Sequence, residues 1–496
     1  MTTALREESG QLSLSGGFEP STGSFVRGLT LLGAVALVVG NMVGTSMYTL
    51  PASLAAAVGP VGIVAWLLTA LGYLGVALVY ADLGTRYPRT GGPYVYAREA
   101  FGDFAGFISF WLYWISALIG NAGIVTGVIA YAQGFFPVMQ TNPLVRFAVA
   151  QLLLWTFCAI NVIGIRHSAR LQIAIMVVNL GVLILLLGGS AHAIDTSNFQ
   201  PFAPEGWGSL ATGTALIVWA YSGVETATVP AEEVKTPQST IWKATMIGYV
   251  LATIIFLLAA IVVHGVLRNG EVASSARPLA MVVERAIGPT AAMIISVTAI
   301  IAGLGTLNGW MLVSGRVPVS AAKDGMLHPR MANIHPRFGT PAVALVVSTV
   351  AGSAMLLMML SNTLLETFNF LVLLAVWATL VPHLITAAAQ LALARRDPER
   401  YPPRERRRAH IIAPLAFLAM MYFVYGAGAE IGRWGFLLMA AGMLAYALVR
   451  PRRPGTITPA EAPAVLPVDP LQLAFPISFK VVSVAKTTES FPGPES

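Results

Sequence analysis

Charged residues are scarce in this sequence, and the scarcity limits the classes of protein to which it can belong. Asp, Glu, Lys and Arg make up 11% of the 496 residues, whereas hydrophobic residues make up 56%. Soluble domains contain about 25% charged residues. The chain therefore lacks the polar side chains needed to cover a solvated surface, and we expect much of it to face lipid.

Cysteine and the common motifs of enzyme chemistry are also missing or nearly so. The single cysteine, Cys158, excludes an internal disulfide framework and a cysteine-based metal site. The sequence has no HExxH metal motif, no Gly-rich phosphate loop and no Ser/His/Asp set. His264 and His383 stand alone in apolar runs, which favours interhelical hydrogen bonds over metal binding. We therefore expect no enzyme activity, no metal, no cofactor and no ATP-driven pumping by this chain.

About twelve apolar stretches fill most of the chain, each near the roughly 20-residue length that crosses a bilayer core. They lie at about 29–57, 59–83, 103–135, 143–165, 171–190, 208–231, 242–267, 287–317, 341–360, 367–391, 410–428 and 431–450. The first stretch is too long for a secretory signal peptide and lacks its cleavage pattern, so we interpret it as a retained span. The sequence thus predicts an all-α polytopic membrane protein with twelve transmembrane helices.

Basic residues are distributed unevenly between the loops that join these spans. If both termini lie in the cytoplasm, 25 of the 30 Lys and Arg residues fall on the inner side. Such a bias is typical of cytoplasmic loops and predicts that orientation. The basic run from Arg395 to His410 then lies inside, where it suits anionic lipid headgroups better than nucleic acid.

The two ends of the chain differ in composition from its centre. Residues 1–27 are rich in Ser, Gly and Glu, and we expect a flexible cytoplasmic N-terminus. Residues 451–496 are rich in Pro, Thr and Ala and predict a disordered cytoplasmic tail. Residues 28–450 are expected to form one membrane domain. It contains two five-span units, at about 28–190 and 208–391, followed by two further spans at about 410–450.

A short pattern recurs at matching places in the two five-span units. Span one contains GTSMYTLP (Gly44–Pro51) and span six contains GVETATVP (Gly223–Pro230). An odd number of spans per unit inverts the second unit in the membrane. Interrupted spans at matching positions of inverted repeats indicate the binding site of a secondary transporter, although two Gly/Pro breaks can also coincide by chance.

Breaks at Gly44–Ser46 in span one and at Tyr221–Val224 in span six predict a polar cavity at membrane depth, since non-helical backbone survives there only in a cavity or inside protein. Freed N–H groups suit a carboxylate and freed carbonyls suit an ammonium, so two facing breaks suit an α-amino acid. Gly44 and Gly223 let a ligand approach the backbone. Glu225, just past the second break, is predicted to bind a proton or to act as a gate; a neutral structural acid is the alternative.

Five separated motifs resemble the amino acid–polyamine–organocation superfamily, and within it the basic amino acid/polyamine antiporters, in particular the bacterial arginine/agmatine antiporters. They are GNMVGTSMYTLPA (Gly40–Ala52), TGGPYVYAREAFG (Thr90–Gly102), LYWISALIGN (Leu112–Asn121), VWAYSGVE (Val218–Glu225) and GTLNGW (Gly305–Trp310). The resemblance covers about residues 28–450. It implies a five-plus-five inverted repeat with discontinuous helices 1 and 6, a bacterial inner membrane and a homodimer.

Carried over by position, the resemblance also implies a set of site residues. Trp219 would close over bound substrate, Trp310 would form a platform on its inner side, and Asn121 would hydrogen-bond its distal cationic group. The substrate-binding set comprises Met42, Gly44, Thr45, Ser46, Ser116, Ala117, Asn121, Trp219, Ser222, Gly223 and Trp310. The gating and proton-coupling set comprises Tyr94, Tyr113 and Glu225. Because acidic residues are scarce in the spans, aromatic faces are the expected partners of a cationic substrate.

Three departures from the family pattern leave the substrate open. Ser46 stands where a second glycine is common in span one, Ala375 stands where a hydroxyl is expected in span ten, and Ser239 replaces a basic residue. The leading hypothesis is exchange of a cationic amino acid for its decarboxylated amine or for another amino acid. Proton-coupled amino acid uptake through Glu225 is the alternative, and a membrane sensor is less favoured because no soluble output domain is present.

Overall fold

The computed structural model describes residues 25, 27–275, 277–361 and 364–449, without the side chains of 364–366. Most of the predicted flexible N-terminus and all of the predicted disordered tail lie outside the described residues. The described residues form seventeen α-helices. In chain order they are α1 (Leu31–Met42), α2 (Thr45–Ala57), α3 (Gly62–Arg86), α4 (Pro93–Phe101), α5 (Asp103–Ala132), α6 (Val138–Thr141), α7 (Pro143–Ile163), α8 (Ile165–Ser190), α9 (Leu210–Tyr221), α10 (Pro237–Val266), α11 (Asn269–Ala273), α12 (Pro278–Ala286), α13 (Pro289–Lys323), α14 (Ala342–Met355), α15 (Leu364–Arg396), α16 (Pro403–Gly426) and α17 (Gly428–Leu448).

Within the described residues, eleven helical segments are long and apolar enough to cross a membrane. The one predicted span outside this set is the sixth, because α9 has 12 residues and only short 3-10 turns, Thr226–Thr228 and Ala231–Glu233, follow it. A single spanning helix needs about 20 residues. The all-helical membrane architecture is thus confirmed, while the number twelve and the inverted repeat stay predictions.

Both predicted helix breaks are present, with boundaries that differ slightly from the prediction. Helix α1 ends at Met42 and α2 begins at Thr45, so the first break lies at Val43 and Gly44. The predicted break extended to Ser46, which instead lies in the first turn of α2. The second break follows Tyr221, where Gly223 adopts a φ of 119°. Only glycine takes that conformation without strain, so the residue type fixes the break.

The segments after the two breaks differ. The first continues as a 13-residue helix, with Pro51 inside it, whereas the second continues only as 3-10 turns. Polar sequence also extends two other helices past their predicted ends: α13 continues to Lys323, and α16 already begins at Pro403. The length of the apolar stretches located the apolar part of each span but not these polar extensions.

The interior lies around α1 and α5, which are covered on several sides. Helix α5 packs against α13 and α15, and α1 packs against α8, α10 and α13. Close approach depends on small residues: a Cβ on Gly248 of α10 would lie 2.4 Å from Val38 Cγ1 of α1. In contrast, large apolar side chains on the outer faces are exposed, among them Leu71, Leu185 and Leu444. Such faces are those that a bilayer would cover.

Candidate functional site

A narrow cavity lies where the two helix breaks face each other. Its lining residues are Asn41, Thr45, Ser46, Trp219, Thr306 and Trp310. The space measures about 210 Å³ with its mouth included, and it leaves room for the centre of about one water molecule. The described conformation is therefore nearly closed, and a larger ligand requires the walls to move apart.

The first break approaches α13 so closely that its glycine cannot be replaced without movement. A Cβ on Gly44 would lie 1.6 Å from Thr306 Oγ1. The Thr306 hydroxyl donates to the carbonyl of Gly40 at 2.8 Å and so ties the end of α1 to α13. Asn179 Nδ2 of α8 donates to the carbonyl of Val43 at 2.6 Å. Helix α1 thus ends in carbonyls that neighbouring side chains already satisfy in part.

Several polar atoms around the cavity have no hydrogen-bond partner within the described residues. They are Asn41 Nδ2 and Oδ1, Thr45 Oγ1 and Asn121 Oδ1. Each of these side chains is at most 4% exposed. An unpaired buried polar group costs about 1–3 kcal/mol, so native proteins seldom keep such groups without a ligand or water to satisfy them. Their concentration here is typical of a site for a small polar ligand.

Aromatic rings form the apolar walls of the same cavity. Trp219 comes from α9 and packs over α5, where a Cβ on Gly120 would lie 3.5 Å from its ring. Trp310 comes from α13, and its ring centroid lies 6.3 Å from that of Tyr113 on α5. Cavity-lining rings offer a cation a π face. No carboxylate is among the lining residues.

Glu225 is fully buried inside the protein and does not face lipid. It contacts Tyr113, whose ring in turn lies near that of Trp310. The Tyr113 hydroxyl donates to Glu225 Oε1 at 2.8 Å, and the backbone N–H of Gly223 donates to Oε2 at 3.1 Å. His383 Nε2 of α15 lies 3.9 Å from Oε2 and lacks a hydrogen-bond partner among the described residues. The other ring nitrogen of His383 is 2.8 Å from the Tyr80 hydroxyl. A small shift of either side chain would let the acid and the base meet.

The remaining predicted binding residues lie near the cavity without lining it. Two hydroxyls are already used locally, since Ser116 donates to the Tyr113 carbonyl and Ser222 donates to the Val218 carbonyl. Met42 and Ala117 are fully buried and carry no polar side-chain atom. Gly223 packs on Asn41, with 2.8 Å between a Cβ built there and Asn41 Cβ. The structure brings Thr45, Ser46, Trp219 and Trp310 together directly.

Tyr94 belongs to a separate cluster and is not among the cavity residues. It lies on α4, where its hydroxyl donates to Asp324 at 2.7 Å. Arg98 and Arg89 also pair with Asp324, at 3.0 Å and 3.6 Å. Burial and the Asp324 carboxylate raise the pKa of Tyr94 well above its usual value, so the phenol remains a hydrogen-bond donor. The cluster links α4 to the end of α13.

Sequence reasoning missed three residues of this region. Asn41 and Thr306 occur inside the quoted motifs GNMVGTSMYTLPA and GTLNGW, and each is a polar residue next to a glycine, which could have identified them. His383 was assigned to helix packing because it stands alone in an apolar run. Its neighbour Glu225 lies on a distant segment, so only the folded chain brings the two together.

This architecture defines a class of protein: a polytopic helical membrane protein with a polar cavity between two interrupted helices. Residues 29–447 match the family described as amino acid permease. The chain therefore belongs to the amino acid permease family, within the amino acid–polyamine–organocation superfamily, as the sequence motifs predicted. Members of this family are transporters, which confirms the expectation that the chain is not an enzyme.

Bacterial relatives are similar over most of their length. The putative arginine/ornithine antiporter of Bacillus subtilis (strain 168) is 30% identical, over 84% of this chain and 95% of that protein. The arginine/ornithine antiporter of Pseudomonas aeruginosa is 30% identical, over 84% of this chain and 90% of that protein. The cadaverine/lysine antiporter of Escherichia coli (strain K12) is 31% identical, over 73% of this chain and 82% of that protein.

Proposed function

We propose that this chain exchanges a cationic amino acid for its decarboxylated amine, or for another amino acid, by exposing one binding site alternately to each side of the membrane. The observation that carries the proposal is the set of unpaired, buried polar atoms where two interrupted helices meet. The names of the relatives support the substrate class, since they are antiporters of basic amino acids and of a diamine.

The two ends of an α-amino acid find different partners in this cavity. The first N–H groups of α2, at Thr45 and Ser46, carry the partial positive charge of a helix start and suit the carboxylate. Carbonyls at the end of α1 already accept from Thr306 and Asn179. The unpaired Asn41 Oδ1 is therefore the better acceptor for the α-ammonium group.

A cationic side chain would lie between aromatic faces rather than against a carboxylate. Trp219 and Trp310 line the cavity, and a desolvated cation–π contact contributes about 2 kcal/mol or more. The unpaired Asn121 Oδ1 adds an acceptor on the α5 side of Trp219. A guanidinium or ammonium group can use both kinds of partner.

A binding panel with purified protein tests the substrate class. Cationic amino acids and their amines should raise the thermal unfolding temperature more than neutral amino acids of similar size. Trp219→Leu should weaken the effect of cationic ligands by roughly tenfold or more, as expected when a desolvated cation–π contact is lost. Asn121→Ala should weaken ligands with a distal cationic group and spare those without one. Equal stabilisation by cationic and neutral ligands would contradict the substrate class while leaving the family assignment intact.

Proton-coupled uptake is the second candidate, and the buried Glu225 favours it. Its carboxylate lies 3.9 Å from the His383 ring, and within the described residues it pairs with no Lys or Arg. A shift of either side chain that brings these atoms within hydrogen-bond distance would let the acid and the base share a proton inside the membrane domain. In this reading, protons rather than a counter-substrate would drive uptake.

The cellular setting is part of the proposal. We infer a bacterial inner membrane because the relatives are bacterial antiporters. We also infer that both termini lie in the cytoplasm, because 25 of the 30 basic residues then lie on the inner side. The membrane domain is assigned to residues 28–450, with an inverted repeat of about 28–190 and 208–391 and with α16 and α17 outside it. The resemblance also supports a homodimer, and cross-linking in native membranes would detect it.

A further inference from the structure

The inner end of α16, on the predicted cytoplasmic side, carries arginines that no carboxylate neutralises. Arg404, Arg406, Arg407 and Arg408 are exposed and make no ion pair within the described part of the chain. Among the nearby acidic residues, Glu405 pairs with Arg86 at 3.2 Å and Asp397 pairs with Arg400 at 3.6 Å, whereas the exposed Glu399 makes no ion pair among the described residues. A concentrated positive charge therefore remains at this helix end.

Three of these arginines face the same way as the outer apolar stripe of α16. With 3.6 residues per turn, a helix places Arg404, Arg407 and Arg408 on one face with Ile411, Leu415 and Leu418. Those three apolar side chains are 57%, 61% and 63% exposed. Arg406 lies on the other side of the helix, in line with the buried residues Ala409, Ala413 and Ala416.

The apolar stripe begins close to the arginines. From Arg408 to Ile411 the helix rises by about 4.5 Å, at roughly 1.5 Å per residue. A molecule with a phosphate at one end and hydrocarbon chains at the other could contact both parts at once. Because the apolar residues need a hydrocarbon neighbour and the arginines need an anion, the two halves together suit an amphipathic anion better than a soluble partner.

We propose that this arginine stripe (Arg404, Arg407 and Arg408) binds an anionic phospholipid, with its phosphate on the guanidinium groups and its acyl chains along Ile411, Leu415 and Leu418. Guanidinium groups bind phosphate oxygens through paired N–H donors. Each basic residue at a membrane surface strengthens binding to anionic lipid by about fivefold. Helix α16 packs on α3, α9 and α15, so an occupied lipid site would also stabilise the surrounding helices.

The test uses the full chain in a neutral detergent and counts bound lipids by native mass spectrometry. Phosphatidylglycerol, phosphatidylcholine and inorganic phosphate are the three probes. R408Q and R406Q are a matched pair, because they remove the same charge from the same helix on opposite sides. R404Q/R408Q gives the larger expected effect. Thermal unfolding of each variant without lipid checks that the fold is intact.

The proposal predicts that phosphatidylglycerol binds and raises the unfolding temperature, whereas phosphatidylcholine and inorganic phosphate do neither. R408Q should weaken phosphatidylglycerol binding by about fivefold and R404Q/R408Q by about 25-fold, while R406Q stays within twofold of the wild type. Equal binding of the two phospholipids would overturn the proposal. So would equal losses in R408Q and R406Q, since that result would mean diffuse charge attraction without a site. Binding of inorganic phosphate alone would identify a phosphate site instead of a lipid site.

Discussion

Gly44 lies where α1 gives way to α2, and its surroundings leave no room for a side chain. The nearest atom to a Cβ at this position is Thr306 Oγ1, at 1.6 Å. The same Thr306 hydroxyl holds the Gly40 carbonyl of α1. A larger residue would thus push α13 away from the break or would remove the hydrogen bond that holds the two together.

Gly44→Ala should accordingly lower substrate affinity and transport. Overpacking at a tight contact costs about 1–3 kcal/mol, and a cost of that size in the substrate-binding conformation corresponds to roughly 5- to 150-fold in affinity. Gly181→Ala on α8 is the matched control, because a Cβ there meets no atom within 4 Å. Transport in proteoliposomes should fall strongly for Gly44→Ala and stay within twofold of the wild type for Gly181→Ala. Equal activities would show that the close approach has no functional role.

Individual site residues were predictable where they interrupt an apolar pattern next to a backbone break. Thr45 and Ser46 fit that pattern, and the family resemblance placed them in the binding set together with Trp219 and Trp310; all four line the cavity. Asn41 and Thr306 were not predicted, because a side-chain amide or hydroxyl inside a span ordinarily forms a hydrogen bond between helices. Whether such a side chain keeps an atom without a hydrogen-bond partner depends on the three-dimensional packing, and no sequence pattern indicates it.

At the level of helices and turns, one buried ion pair connects the segment after the second break to α13. Glu233 follows that break in a 3-10 turn, and Arg316 Nε donates to its carboxylate at 2.7 Å. Both side chains are fully buried. The Glu233 carbonyl also accepts from the N–H groups of Gly28 and Leu29. The pair therefore fixes the position of the non-helical half of span six.

Removing one partner should be far more harmful than removing both. Arg316→Met leaves a buried carboxylate without its partner, a change that costs about 3–5 kcal/mol, and Glu233→Leu/Arg316→Met should recover most of that loss. The exposed pair Arg89–Glu99 is the control, since breaking it with Glu99→Gln should cost under about 1 kcal/mol. Thermal unfolding of the purified proteins provides the comparison. A double variant no more stable than Arg316→Met would contradict this view of the pair.

The helices themselves were largely predictable from apolar length, and the breaks from glycine and proline. The limits of that reasoning appear in span six. Gly223–Pro230 resembles Gly44–Pro51 in sequence, yet the segment in span one continues as an α-helix from Thr45, whereas the segment in span six forms only a 3-10 turn. The Glu225 carboxylate accepts from the Gly223 N–H, and the Thr226 and Thr228 hydroxyls donate to nearby carbonyls. These local hydrogen bonds compete with those of a regular α-helix, and neither apolar length nor the positions of glycine and proline reveal them.

For the whole molecule, the nearly closed cavity and the clusters around it fit a transporter that opens to one side at a time. Tyr94 and Asp324 link α4 to α13 beyond the cavity, and Tyr113 and Glu225 link α5 to the second break. Movement of α13 or of the second break would change these contacts together. Composition predicted the membrane setting, but the closed conformation depends on contacts between distant segments that no sequence pattern specifies.

The central claim is exchange, and counterflow in proteoliposomes tests it most directly. Vesicles containing the purified chain are loaded with a cationic amino acid or its amine, and uptake of a labelled cationic amino acid is followed without an ion gradient. Exchange predicts rapid uptake into loaded vesicles and almost none into empty ones, and Trp219→Leu should reduce the uptake into loaded vesicles. Equal uptake by empty vesicles under a proton gradient alone would contradict exchange and establish proton-coupled transport instead.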